Sequence, residues 1–164
     1  MSTQASSFPQ PHHDHAQCVE KALREALSMC DSRGTKLTVN RQRVFELIWT
    51  SHCPVTAYEL LEQLQALGLR VQAPMVYRCL EFLLEQGLIH RVESLNAFVG
   101  CSNPSTPHAA ELLICEKCGV AAEATNAKID QNLEQTAKNL NFTIQNCVIE
   151  LSGLCGFCSP SPDK

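Results

Sequence analysis

The stretch PMVYRCLEFLLEQGLIHRV, residues 74–92, changes period partway along. Val76, Leu80, Leu83 and Leu84 recur at helical spacing, which predicts a helix opening after Pro74 and running to Gln86. Tyr77, Arg78, Glu81 and Glu85 are left on its outer side. Gly87 is a C-terminal stop. Beyond it the period shortens: Leu88 to Val92 and Ala97 to Cys101 read as two strands joined by a turn over Glu93, Ser94, Leu95 and Asn96.

Upstream the pattern is helical. Val19, Ala22, Leu23, Ala26, Leu27 and Cys30 form one apolar stripe from about Ala16 to Ser32, ended by Arg33-Gly34. A second helix follows, with Thr38 or Asn40 as its cap and Val44, Leu47 and Ile48 inward. Thr56 caps a third, which buries Ala57, Leu60, Leu61 and Leu64 and ends at Gly68. Short helices followed by a two-stranded hairpin are the order of a winged helix-turn-helix, whose second helix enters the DNA major groove. Arg78 would then reach guanine, and Tyr77 or Tyr58 a phosphate or thymine methyl. A plain helical bundle, with Tyr77 packed and Arg78 solvated, fits the periodicity equally well.

Downstream, two Cys-x-x-Cys pairs, Cys115/Cys118 and Cys155/Cys158, are separated by 36 residues and match the ligand spacing of a tetrahedral structural zinc site. Between them, Leu112-Leu113-Ile114 and Val120 to Thr125 read as a hairpin. A helix from about Ala127 to Leu140 is expected to bury Ile129, Leu133, Ala137 and Leu140, and Phe142 to Leu151 is β-rich. The expected architecture is α+β: a disordered tail (1–15), an N-terminal winged helix-turn-helix domain (16–100), a linker (101–107) and a small α/β unit with a four-cysteine zinc site (108–164). A unit that small gains much from a metal staple.

Ten cysteines without an export signal point to a reducing, cytoplasmic setting where disulfides are rare, and no apolar run is long enough for a membrane span. A thiol-disulfide oxidoreductase is disfavoured: Cys155/Cys158 leads into Ser-Pro-Ser-Pro rather than a helix that would activate a thiol, and no acid/base pair, triad or phosphate loop appears. Net charge is −4, yet Arg33, Lys36, Arg41 and Arg43 form a group with no acid between Ser32 and Phe45, which permits a nucleic-acid partner. The His12-His13-Asp14-His15 run reads as an adventitious tail site. His90, Cys101, His108 and Glu123 together offer a nitrogen, sulfur and oxygen set that zinc accepts, and such a site would tie the two domains together.

Leu37-Thr38 with Arg41-Gln42-Arg43, Val76-Tyr77-Arg78, the run from Leu83 to His90 and the two Cys pairs resemble the ferric uptake regulator family over about residues 16–158. Ala57-Tyr58-Glu59-Leu60-Leu61, His90-Arg91-Val92-Glu93-Ser94 and Asn146-Cys147-Val148-Ile149-Glu150 are similar to its zinc-responsive branch. The resemblance implies a homodimer with a winged helix for DNA and residues 108–164 as its α/β dimerisation domain. It also implies structural zinc on Cys115, Cys118, Cys155 and Cys158, and regulatory zinc on His90, Cys101, His108 and Glu123, about two zincs per chain. It places DNA contacts on Tyr58 and Arg78, with Tyr77 and Arg41 as further candidates on double-stranded, pseudo-palindromic operator DNA. The implied function is a zinc-responsive repressor of zinc-uptake genes, with an iron- or peroxide-sensing regulator on the same scaffold as the alternative. Iron-responsive members carry a His-His-Asp-His run before the first Cys pair. Here that place holds Pro107-His108-Ala109-Ala110-Glu111, which favours zinc.

Overall fold

The computed structural model describes residues 8–9, 15–106 and 110–159. Most of the tail expected to be disordered, including His12 to Asp14, lies outside these residues, as does His108. The chain begins with α1 (His15–Ser32), α2 (Val39–Trp49), the two-residue strand β1 (Val55–Thr56), α3 (Ala57–Ala66) and α4 (Ala73–Glu85). The hairpin follows as β2 (Ile89–Val92) and β3 (Ala97–Gly100), joined by a 3-10 turn at Glu93–Leu95.

Helix α4 is the spine of this half. Val76, Cys79, Leu80, Phe82 and Leu83 are buried along it against Val44, Phe45 and Ile48 of α2 and Leu60 and Leu64 of α3. Full burial of one such aliphatic side chain is worth roughly 1.5–3 kcal/mol, so this seam holds the unit together. Gly87 ends the helix with φ +67, where an L side chain would be strained. Thr56 and Glu59 form a reciprocal capping box at the start of α3: the Thr56 side chain accepts from the Glu59 N–H, and the Glu59 carboxylate accepts from the Thr56 N–H. Leu27, expected inward on α1, is 43% exposed, because the buried stripe there is the narrower Ala22, Ala26, Cys30 line.

The hairpin is more than a two-stranded wing. Strand β1 pairs with β3, giving a three-stranded antiparallel sheet in the order β1-β3-β2. Its two faces do different work. Ile89 and Phe98 point into the helical core, while Val92 and Val99 join Leu112, Ile114 and Ala121 of the second unit in a separate apolar cluster. On the helical side Gly100 leaves room for Trp49: a Cβ there would run into the indole ring. Gly100→Ala is therefore expected to destabilise the chain by about 1–3 kcal/mol, as overpacked cores do, and to lower Tm by several degrees. Thermal unfolding followed by circular dichroism checks this.

The second unit holds β4 (Glu111–Cys115), β5 (Ala121–Ala124), α5 (Ala127–Asn139) and β6 (Ile149–Gly153), with sheet order β5-β4-β6. Strand β5 runs antiparallel to β4, and β6 runs parallel to it after the α5 crossover. The expected burial of α5 needs correction. Of Ile129, Leu133, Ala137 and Leu140 only Ala137 is buried, and Leu140 is 74% exposed. Phe142, Ile144, Val148, Leu151 and Leu154 are exposed as well. The stripe is real, but within one chain nothing among the described residues covers it.

Candidate metal centres and DNA-facing surface

Cys115 ends the central strand β4 and Cys155 follows the parallel strand β6, so the β4–β6 pairing brings the two Cys-x-x-Cys loops to one end of the sheet. Each loop is a tight turn: the Gly119 N–H donates to the Cys115 carbonyl at 2.8 Å, and the Cys158 N–H to the Cys155 carbonyl at 2.9 Å. All four sulfurs lie within 4.8 Å of one another. The Cys118 and Cys155 sulfurs are 3.9 Å apart, close to the edge of about 3.8 Å in a tetrahedron of zinc–sulfur bonds of about 2.3 Å. Backbone N–H groups of Cys155 and Cys118 hold the Cys115 thiol down to about 6. Burial and the neighbouring thiols push Cys158 up to about 12, so the cluster does not ionise fully unaided. A divalent soft cation suits this donor set, and all four sequence-predicted ligands are brought together.

The second group straddles the seam between the units. His90 on β2, Cys101 just after β3 and Glu123 on β5 place their ligand atoms within 4.8 Å of one another. His90 Nε2 and Glu123 Oε1 are hydrogen-bonded at 2.8 Å, and Cys101 Sγ lies 3.9 Å from the same oxygen. Burial alone would raise the Glu123 carboxyl, but the hydrogen bonds from His90 and Ser102 outweigh it and hold the group down to about 2. Cys101 is moved the other way, to about 12, by burial and then by the Glu123 charge. The fourth residue of the expected set, His108, lies outside the described residues. One member of the arrangement escaped the sequence reading. The Ser102 N–H and hydroxyl both donate to Glu123 Oε2, at 2.8 and 2.7 Å, and orient the carboxylate. A serine after a cysteine carries no signal of its own.

A second contact joins the units at the end of the sheet where the four cysteines meet. The Ala121 N–H donates to the His52 carbonyl at 2.9 Å, and the Cys53 thiol lies 3.7 Å from the Cys118 carbonyl.

On the outer surface, Tyr77 (55% exposed) and Arg78 occupy the first turns of α4, and Tyr58 (68% exposed) the start of α3. Arg41 is engaged within the chain: its guanidinium lies 3.5 Å from the Phe82 ring centroid and donates to the Lys36 carbonyl at 2.6 Å. It braces α2 on α4, a role the basic cluster in the sequence did not suggest.

A helix-turn-helix with a pinned hairpin, meeting a second sheet at one candidate ligand cluster while that sheet carries another at its end, defines a protein of the winged-helix class with two groups suited to metal ions. Residues 32–152 match the ferric uptake regulator family, and the chain belongs to that family. It is 34% identical over 140 residues to the zinc uptake regulation protein of Escherichia coli (strain K12), covering 85% of this chain and 82% of that one. Its structure is similar to a zinc uptake regulator complexed with zinc and DNA, with a TM-score of 0.80 and 34% identity over 85% of this chain and 93% of the other. XcZur, at 38% identity, matches with a TM-score of 0.77 in its holo crystal structure (84% of this chain, 96% of that one) and 0.50 in its apo structure (85% and 97%). At equal identity the chain superposes better on the holo than on the apo structure. Among the described residues no helix is long and apolar enough to cross a membrane.

Proposed function

We propose that the protein is a cytoplasmic, zinc-responsive transcriptional repressor that binds operator DNA as a homodimer and controls zinc-uptake genes. The observation that carries this reading is the His90–Cys101–Glu123 cluster at the seam. A metal held there selects one angle between the α4-bearing unit and the sheet that carries the dimer surface. In the full site His108 supplies the fourth ligand. The Cys101 thiolate favours zinc over the ions that suit harder ligand sets. The four-cysteine group holds the structural zinc, and the exposed stripe of Leu133, Leu140 and Phe142 is the face a second copy covers.

When zinc is scarce the seam is held only by its small apolar cluster and by hydrogen bonds, and the two reading helices lack a fixed separation. Bound zinc favours the closed arrangement in which Tyr77 and Arg78 of each α4 enter successive major grooves, with Tyr58 on the same unit as a further DNA contact. Arg41, expected there from the sequence, braces α2 on α4 instead. Only the difference in zinc affinity between the open and closed states drives the shift. The function is regulatory, not enzymatic.

Elemental analysis before and after mild chelation tests the reading together with fluorescence anisotropy on a labelled duplex selected by the zinc-loaded protein. Two zincs per chain should fall to one with the dimer intact, and DNA affinity should fall with the second zinc and return on its addition. Restoration by iron(II) but not by zinc would make the protein an iron sensor on the same scaffold.

A further inference from the structure

Strands β5, β4 and β6 are in register so that Leu112 on the central strand faces Glu123 on one side and Glu150 on the other. Cross-strand partners share a face, so the sheet presents a row of acid, leucine and acid, its ends two strand spacings, about 9.5 Å, apart. That face meets the β2–β3 hairpin. Leu112 is 2% exposed and packs with Val92 and Val99, and Glu123 reaches His90 and Ser102. The other acid reaches the hairpin's tip: the Glu150 carboxylate accepts from the Glu93 N–H at 2.5 Å and from the Ser94 N–H at 3.1 Å. These are N–H groups at the start of the 3-10 turn, which have no partner inside the turn. The Glu93 side chain is paired with Arg91 Nε at 3.2 Å, so it is neutralised beside Glu150.

We propose that Glu150 is a second latch on the seam, a positioning residue that holds the hairpin tip to the dimer-bearing sheet and so sets the angle of α4 together with the metal cluster. The proposal rests on the zinc-responsive DNA-binding reading above. The two latches differ in kind. Glu123 works with a metal and is buried. Glu150 binds backbone donors directly, belongs to no cluster of metal ligands among the described residues, and sits on the strand leading to Cys155. Glu150 therefore supplies part of the ordering that zinc completes, and zinc and DNA affinity should fall together when it is removed, since coupling between sites is reciprocal. Burial works against the Glu150 charge, and the hydrogen bonds from Ser94 and Glu93 nonetheless lower its carboxyl below the ordinary value.

The test uses the full zinc-loaded dimer, a duplex selected from random DNA by the wild-type protein, and the variants Glu150→Gln and Ser94→Pro. The first neutralises the acceptor; the second removes one donor from the opposite side. At saturating zinc each is expected to keep two zincs, the dimer and Tm, and to weaken DNA binding about tenfold, the scale of one charge-assisted hydrogen bond. Each should also lower zinc affinity at the seam in the same direction and speed amide exchange at the tip. Glu134→Gln, on the exposed face of α5, should change none of these. Wild-type DNA affinity with unchanged exchange in Glu150→Gln would overturn the latch. So would a loss of DNA binding that came with loss of the four-cysteine zinc or of Tm, because Glu150 would then support the fold rather than the angle. A wild-type protein that binds DNA identically with and without its second zinc would instead sink the underlying functional reading, and amide exchange would still decide whether the latch exists.

Discussion

A Cys115→Ser chain is expected to lose its C-terminal unit as a folded entity. Cys115 closes β4 and is 1% exposed, and the Cys155 N–H points at its sulfur from 3.4 Å. The apolar cluster behind it is thin: Val92, Val99, Leu112, Ile114 and Ala121, of which two come from the hairpin. A domain's stability is roughly 0.05–0.15 kcal/mol per residue, so a unit of this size holds only a few kcal/mol. Structural zinc in finger peptides contributes about 10–16 kcal/mol, which exceeds that margin. Serine is a poor zinc ligand, and three sulfurs leave the site open. The variant should retain less than one zinc per chain, sediment as a monomer or aggregate, and lose the slow-exchanging amides of β4 and β6. A Cys115→Ser protein that stays a folded dimer would show that the sheet stands without its staple.

Cys101→Ser should have the opposite profile: an intact fold with no switch. The side chain is 2% exposed and nearly isosteric with serine, and its thiol, pushed up to about 12, is protonated in the metal-free chain, so the fold does not rely on its charge. What the substitution removes is the soft ligand. Zinc should then be present at one per chain rather than two, and the dimer and Tm should hold. The dependence of DNA affinity on zinc should collapse to unity, from a stimulation on the order of 5–150-fold for a coupling of 1–3 kcal/mol. Anisotropy titrations with and without zinc measure it. A variant that still responded fully to zinc would remove Cys101 from the site.

Local signals made most of the fold legible. The period change across Pro74–Val92 gave helix and hairpin, Thr56 gave a helix start, and spacing gave the four cysteines that meet at the ends of β4 and β6. What stayed hidden depends on pairing between distant segments. Two residues, Val55 and Thr56, are too short a run to read as a strand, and β1 exists because β3 offers it a free edge. Leu133 and Leu140 showed that one face of α5 is apolar, but periodicity does not say whether its cover is the same chain or a second copy. In the candidate site, His90, Cys101 and Glu123 were suggested by their chemistry, whereas Ser102 and Glu150 are ordinary residues that gain roles only from how the strands are brought together. Arg41 looked like a surface cation because Phe82, its stacking partner, lies 41 positions away.

The acid–leucine–acid row also fixes a lever. Its ends are separated by about 9.5 Å, so a shift of about 1 Å at Glu123, with Glu150 held as the pivot, turns the hairpin and the helices packed on it by about 6°. A dimer doubles the change in angle between its two α4 helices, to about 12° on the same strand spacing. On the proposed function, a small shift of the ligands around an ion at the seam would be magnified at the far end of the reading helices and would set whether both reach one stretch of DNA.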